Sequence, residues 1–281
     1  MKIPRAIITA AGRQQRHIPL QTFVDRDGGT RSVLQLLLEE VVAAGVDEIA
    51  LVIRPDDQQV YLDAAGELGS RITFVEQTEP AGYGHAVLSA KEFAAGEPFL
   101  LMVSDHMFVS DTEGKSCAQQ LVETAGRLEC AVSAVQPTHE SKLPFFGTIG
   151  GQRFGGEDGL YEISSVIEKP TPTAAEQTLQ VPGLRMGYYL CFHGMHVLTS
   201  QVMDVLEKQH ADTSGDLLHL SPALNQIANE ERYLAYQLSG RRYDLEGRYG
   251  LLMAQLAVTM DGADREEVLA GIVDLLAHIR R

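Results

Sequence analysis

The chain has 281 residues, 44% apolar and 22% charged, an ordinary globular composition that needs neither disulfide nor metal staples to bury a core. Its 23 Lys and Arg against 38 Asp and Glu leave a net charge of −15, which argues against non-specific binding of nucleic acid but leaves room for a local cationic pocket holding a small anion. Cys117, Cys130 and Cys191 are too few and too scattered for a disulfide framework or a paired-thiolate zinc site. No apolar run approaches the roughly 18 residues of a membrane span, and residues 1–12 lack a signal peptide's apolar core, so a cytoplasmic protein with no membrane partner is expected.

Residues 6–9 read as a buried strand, followed by a polar loop over 12–31. Val33, Leu34, Leu37, Leu38, Val41 and Val42 recur at helical spacing, with Gly45 where a helix stop belongs. Strands are predicted at 48–53, 72–76 and 99–103, with a helix over 84–94. That alternation implies βαβ units and a parallel sheet. In the second half, strands are predicted at 130–136, 161–167, 187–192 and 232–238, a helix at 200–208, and two helical stretches to the end. No repeat and no Pro- or Ser-rich linker appears, so the halves are expected to share one sheet. The expected division is a domain over 1–250, with halves at about 1–128 and 129–250, and a C-terminal helical segment over 251–281. In that segment Val268, Ile272, Leu275 and Leu276 form an apolar stripe that either packs within the chain or pairs with a second subunit as a homo-oligomer.

Ligands of open α/β sheets bind beyond the carboxyl ends of strands, which selects residues 10–16, 77–85 and 105–106. Ala11, Gly12, Arg13 and Arg16 can receive phosphates through backbone N–H groups and guanidinium contacts, although a turn with solvated arginines fits equally well. Gly82-Tyr83-Gly84-His85 is only a fragment of a dinucleotide fingerprint and reads better as a turn that lets backbone approach a ligand before a helix begins. Gln77 carries the donor and acceptor needed to read a base edge; an unliganded loop glutamine is the alternative. Asp105 and Asp244, each placed near a strand end, suit a hard cation such as Mg²⁺, and capping is the competing role. Glu168 and Lys169 are neighbours on a strand, so both reach one ligand only where the strand ends or twists.

Together these segments resemble the bacterial UTP–glucose-1-phosphate uridylyltransferases, within the wider sugar-1-phosphate nucleotidylyltransferase family. The most specific pieces are Gly82-Tyr83-Gly84-His85-Ala86-Val87-Leu88, similar to Gly-Leu-Gly-His-Ala-Val-Leu, and Val166-Ile167-Glu168-Lys169-Pro170, similar to Val-Val-Glu-Lys-Pro. Residues 42–49, Gly215-Asp216 and Tyr243-Asp244 before Gly250 support it. The resemblance implies a mixed, mainly parallel Rossmann-like sheet flanked by helices, with a small sugar-binding β region. It implies nucleotidyl transfer from UTP to glucose 1-phosphate, with Mg²⁺ as cofactor and only small molecules as substrates. It places Ala11, Gly12, Gln77 and Gly82 at the nucleotide, with Arg16 as a catalytic arginine; Arg13 matches no family position and is a nucleotide-binding candidate from the loop's own chemistry. Gly147, Glu168, Lys169 and Gly187 fall at the sugar and its phosphate, and Asp105 and Asp244 at the metal.

The chain departs from that pattern where a triphosphate would sit. Gln14 and Gln15 replace the loop's second Gly and its Thr, and Gln21 stands where the family has a lysine, unless an ungapped count moves that role to Arg26. Glu246 and Gly247 follow Asp244 in place of Gly and Asn. A non-catalytic sugar-nucleotide binder and an enzyme with another base or sugar are the rival expectations.

Overall fold

The computed structural model describes residues 1–13, 15–212 and 216–278, so Gln14 and Gly215 lie outside the described residues. The first half supplies β1 (Arg5–Thr9), a β2–β3 hairpin (Thr22–Val24, Thr30–Ser32), α1 (Val33–Ala43), β4 (Glu48–Ile53), α2 (Gln58–Ala65), β5 (Ile72–Glu76), α3 (Tyr83–Ser89), α4 (Lys91–Ala94), β6 (Phe99–Val103), β7 (His106–Ser110) and α5 (Cys117–Leu128). The second supplies β8 (Ala131–His139), β9 (Gly147–Arg153), β10 (Leu160–Glu168), α6 (Pro172–Thr178), β11 (Tyr188–Leu198), α7 (Gln201–Asp212), α8 (Leu220–Glu230), β12 (Tyr233–Gln237), β13 (Gly240–Asp244), α9 (Gly250–Met260) and α10 (Arg265–His278).

One nine-stranded sheet, ordered β5-β4-β1-β6-β11-β8-β12-β10-β9, runs through both halves. Its joints are parallel from β5 to β6 and again at β8 with β12, and antiparallel elsewhere. Strands such as Ile49–Ile53 are buried on both faces, as a sheet covered by helices on each side requires. Helix α1 shows how local chemistry sets its limits. Ser32 caps its start in a reciprocal capping box with Gln35, and Gly45 at φ +77° supplies the left-handed turn after its end. Its buried stripe of Val33, Leu34, Leu37, Leu38 and Val41 faces the sheet.

Two elements differ from expectation. The helix expected over 84–94 breaks at Ala90, whose N–H is shared between Val87 and Leu88 carbonyls, giving α3 and α4. Asp244, expected near a strand end, belongs to a strand that was not predicted. It closes β13, an edge strand paired antiparallel only with β7, with Asp244 opposite His106. The polar run Gly240-Arg241-Arg242 hides that strand because its pairing with β7, rather than an apolar pattern, marks it.

The topology gathers several ends at one edge. Thr9 and Val103 are register partners at the ends of β1 and β6, and Gly147 at the start of β9 pairs with Glu168 at the end of β10. Strand β11 carries a register shift between Phe192 and His196, where Gly194 at φ +87° lies so close to Val103 that a Cβ would meet its side chain at 2.8 Å. No described helix is long and apolar enough to cross a membrane.

Candidate active site

A cavity of about 300 Å³ opens beyond the ends of β1 and β5. Ala11, Gly12, Arg13, Gln77 and Gly82 all line it, so the structure brings these five expected residues together. The Tyr61 hydroxyl donates to the carbonyls of Ala10 (3.1 Å) and Arg16 (2.8 Å), pinning the loop after β1. Gln77 is buried, and its side-chain nitrogen reaches the Gly82 carbonyl at 3.1 Å and His85 Nδ1 at 3.0 Å. With the amide nitrogen so committed, Oε1 is the atom left to accept from a ligand N–H. The glycines serve the fold as well as the cavity. Gly84 N donates to the Leu218 carbonyl at 2.8 Å, and a Cβ on Gly82, whose φ is +108°, would meet that oxygen at 2.4 Å. The close approach expected of this turn is therefore to residues 218–219 too.

Thr9, Gln15 and Tyr83 also line a second cavity of about 240 Å³, which joins the first to Asp105, Gly147, Glu168 and Lys169. Lys169 resolves the problem of two neighbours on one strand. Its backbone lies in the left-handed region (φ +47°), which no Gly relieves, so the chain turns at the end of β10 and both side chains face the cavity. Such a backbone costs roughly 1–2 kcal/mol and is typical of binding sites. The Ser221 hydroxyl donates to Glu168 Oε2 at 2.5 Å, while Lys169 Nζ stays 4.0 Å from Glu168 Oε1. The carboxylate is thereby oriented and the ammonium left available.

Asp105 follows β6 directly and is nearly buried, with Oδ1 at 2.7 Å from His106 Nδ1. Burial pushes its carboxyl up, but His106 and the more distant Arg242 outweigh burial and hold it below its ordinary value, so it is anionic near neutrality. The Leu245 N–H donates to the Asp105 carbonyl at 2.9 Å, tying β13's end to this turn. Asp244 lines a third, adjoining hollow of about 780 Å³, and its Oδ1 accepts from Glu246 N and Gly247 N. No cluster of three potential metal ligands occurs among the described residues. Two anchored carboxylates nevertheless suit Mg²⁺, which keeps waters and substrate phosphates as its other ligands.

Arg16 and Gly187 do not join these residues. Arg16 sits in a 3-10 turn with Nη1 3.4 Å from Asp57 Oδ1, and neither it nor Gly187 lines the cavities. Gly187 precedes β11, and its carbonyl accepts from Glu140 N at 2.9 Å. Gln21 turns its amide to the His17 carbonyl, and Arg26 pairs with Asp261 at 2.9 Å in a separate hollow.

Against known proteins, the sequence profile described as nucleotidyl transferase matches residues 6–243. The chain belongs to the nucleotidyl transferase family. It is 27% identical to the UTP–glucose-1-phosphate uridylyltransferase of Streptococcus pneumoniae serotype 4, over 91% of this chain and 90% of that protein. It is 25% identical to the one from Streptococcus pyogenes, over 97% and 94%. Its fold is similar to that of a UDP-glucose pyrophosphorylase crystallised with UDP-glucose, with a TM-score of 0.74 at 22% identity over 91% of this chain and 98% of that one. It is also similar to the UTP-bound UGPase of Acinetobacter baumannii, again at 0.74 with 20% identity, over 97% and 99%.

Within this nucleotidyl transferase fold, sequence reasoning misses several residues of the cleft. Gly194 and His196 line the second cavity where Gly187 was expected, at positions alternating with Phe192 along β11, which runs on to Leu198 beyond the predicted strand end at 192. Tyr83 faces both cavities, with its hydroxyl buried and without a hydrogen-bond partner. Arg242 and Phe146 line both the second and third hollows. Another hollow of about 680 Å³, sharing no lining residue with these, has its lysine paired: Lys91 Nζ meets Asp204 at 3.1 Å and Glu207 at 2.9 Å.

Proposed function

We propose that the chain transfers a uridylyl group from UTP to glucose 1-phosphate. A phosphate oxygen of the sugar phosphate attacks the α-phosphorus, a P–O bond forms, the bond to the β-phosphate breaks, and pyrophosphate leaves with UDP-glucose as product. The observation that carries this reading is the joined pair of cavities, with Gln77 at one end, Glu168 and Lys169 at the other, and Asp105 at the second cavity's wall. Gln77 Oε1 accepts the N3–H of uracil, Glu168 accepts from sugar hydroxyls, and Lys169 neutralises the sugar phosphate. Such a reaction asks a protein for alignment and charge stabilisation rather than covalent chemistry. Asp105 and Asp244 would hold Mg²⁺, which supplies positive charge to phosphoryl oxygens when bound. Arg13, exposed at the rim of the first cavity, is the loop arginine placed to meet the triphosphate.

A second reading, a sugar-nucleotide binder without turnover, is favoured by the uncharged Gln21, whose amide is spent on the His17 carbonyl. Pyrophosphate release across UTP, dTTP, GTP and ATP with several hexose 1-phosphates tests both. Release with UTP and glucose 1-phosphate is expected; none with any pair, while UDP-glucose still binds, selects the binder.

A further inference from the structure

Arg242 is a buried cation of this cleft whose surroundings, among the described residues, are incomplete without a ligand. It stands in β13 opposite Phe108 of β7, is 8% exposed, and stacks its guanidinium carbon 3.6 Å from the centre of the Phe146 ring. Its Nη1 is enclosed and has no hydrogen-bond partner, and no carboxylate of the described residues lies within 4 Å of it. Surface arginines of the same chain are better satisfied: Arg5, Arg71 and Arg127 meet carboxylates at 3.1, 3.0 and 2.8 Å. This inverts the usual rule, because a buried charge is the one that needs a partner most. Burial lowers the guanidinium to about 10, so it is charged at neutral pH. Cys191, Asp244, Asp105 and His193 face it at longer range, with His106 bonded to Asp105.

Resting on the uridylyltransferase reading, we propose that Arg242 is a phosphate-binding residue, presenting its guanidinium to a phosphoryl group bound between the second and third hollows, which it lines together with Phe146. The stack on Phe146 holds the fork's plane, as a planar guanidinium permits and an ammonium does not. The incoming anion completes the missing partner. This adds a cation from the far side of the cleft to the one supplied by Lys169, in a chain whose nucleotide loop has lost one at Gln21. The phosphoryl group belongs either to the sugar phosphate or to the nucleotide, and separate ligands distinguish them.

The test is calorimetric titration of wild type, Arg242→Gln and Arg242→Lys with uridine, UMP, glucose 1-phosphate and UDP-glucose, beside pyrophosphate release. The glutamine variant is expected to bind UDP-glucose about tenfold or more weakly, as loss of a charge-assisted contact implies, while uridine stays within about twofold. A loss on glucose 1-phosphate but not UMP assigns the contact to the sugar phosphate; the reverse assigns it to the nucleotide. Equal losses on uridine and UDP-glucose would make Arg242 merely structural, and unchanged affinities would overturn the proposal. If the glutamine variant does not fold, the lysine variant decides: it keeps the charge but not the fork, so UDP-glucose weakens about threefold or more with uridine unchanged, and wild-type affinity for both overturns the assignment. A wild type that binds these ligands yet releases no pyrophosphate would sink the uridylyltransferase reading instead, leaving the Arg242 contact intact.

Discussion

Lys169 combines two properties that would not coexist by chance, a left-handed backbone and a charged head facing a cavity. Replacing it separates them. Lys169→Gly relieves the backbone and should raise the melting temperature slightly, whereas Lys169→Ala keeps the strain. Both should raise the apparent KM for glucose 1-phosphate about tenfold or more, since a charge-assisted contact is worth about 1.5–3 kcal/mol; an effect on UTP alone would reverse the assignment. Asp105→Asn removes the anion that His106 and Arg242 stabilise. Turnover should fall about 10²-fold or more with the melting temperature little changed, and an unaltered Mg²⁺ dependence would remove Asp105 from the metal. In the nucleotide loop the structure separates the two arginines that could replace the lysine lost at Gln21. Arg13 lines the first cavity and Arg26 is paired with Asp261 outside it. Arg13→Ala should therefore cut turnover about 10²-fold and Arg26→Ala should spare it; the opposite result would place the triphosphate elsewhere.

At the scale of elements, regular burial was legible and irregularity was not. The apolar runs of β1, β4 and β6 and the stripe of α1 show in the sequence because their side chains meet a core. Strand β13 does not, because Arg241 and Arg242 look like loop residues until β13 is seen to pair with β7. In the first cavity Ala11, Gly12, Arg13, Gln77 and Gly82 were legible because they follow strand ends, whereas Arg16, expected with them, lies outside it. The second cavity was legible at Glu168 and Lys169 and missed at Gly194, because β11 runs on beyond the stretch whose composition marks it as a strand. That strand, β11, also carries two buried histidines. Burial lowers His196 to about 3 and lowers His193 well below its usual value. Below about pH 6.5 the unfolded chain takes up protons at these sites and the folded chain does not, so stability is full above that pH and falls as acid is added, by on the order of 1 kcal/mol per pH unit for each histidine. Glu40, whose carboxyl burial pushes up, works in the opposite direction and offsets part of this. Melting temperature should drop by roughly 5–10 °C between pH 7 and 5, and His193→Leu, which removes a ring whose nitrogens have no partner, should flatten that slope. An unchanged slope would mean that other groups govern acid stability.

At the scale of the whole molecule, the remaining imbalance is at the C-terminal end. Helix α10 has no buried residue: Val268 and Ile272 are half-buried, with α9 the neighbouring helix, while Leu269, Val273, Leu275 and Leu276 are 40%, 59%, 65% and 62% exposed. Leu252 and Met253 of α9 add exposures of 57% and 51%. The expected stripe is thus only half satisfied within the chain, and a second subunit is the expected cover for the apolar side chains left exposed. Against association stands a net charge of −15 on each copy. Screening weakens that repulsion and leaves apolar attraction intact, so a dimer joined through α10 should strengthen as salt rises, opposite to one held by ion pairs. Light scattering at micromolar concentration should give about twice 30.7 kDa, with the fraction of dimer rising between 50 and 500 mM salt, roughly a threefold shortening of the Debye length. Leu275→Glu with Leu276→Glu should return the protein to a monomer without altering UDP-glucose binding, since α10 contributes no residue to the cavities. A wild-type monomer at every salt concentration would assign this surface no role in self-association.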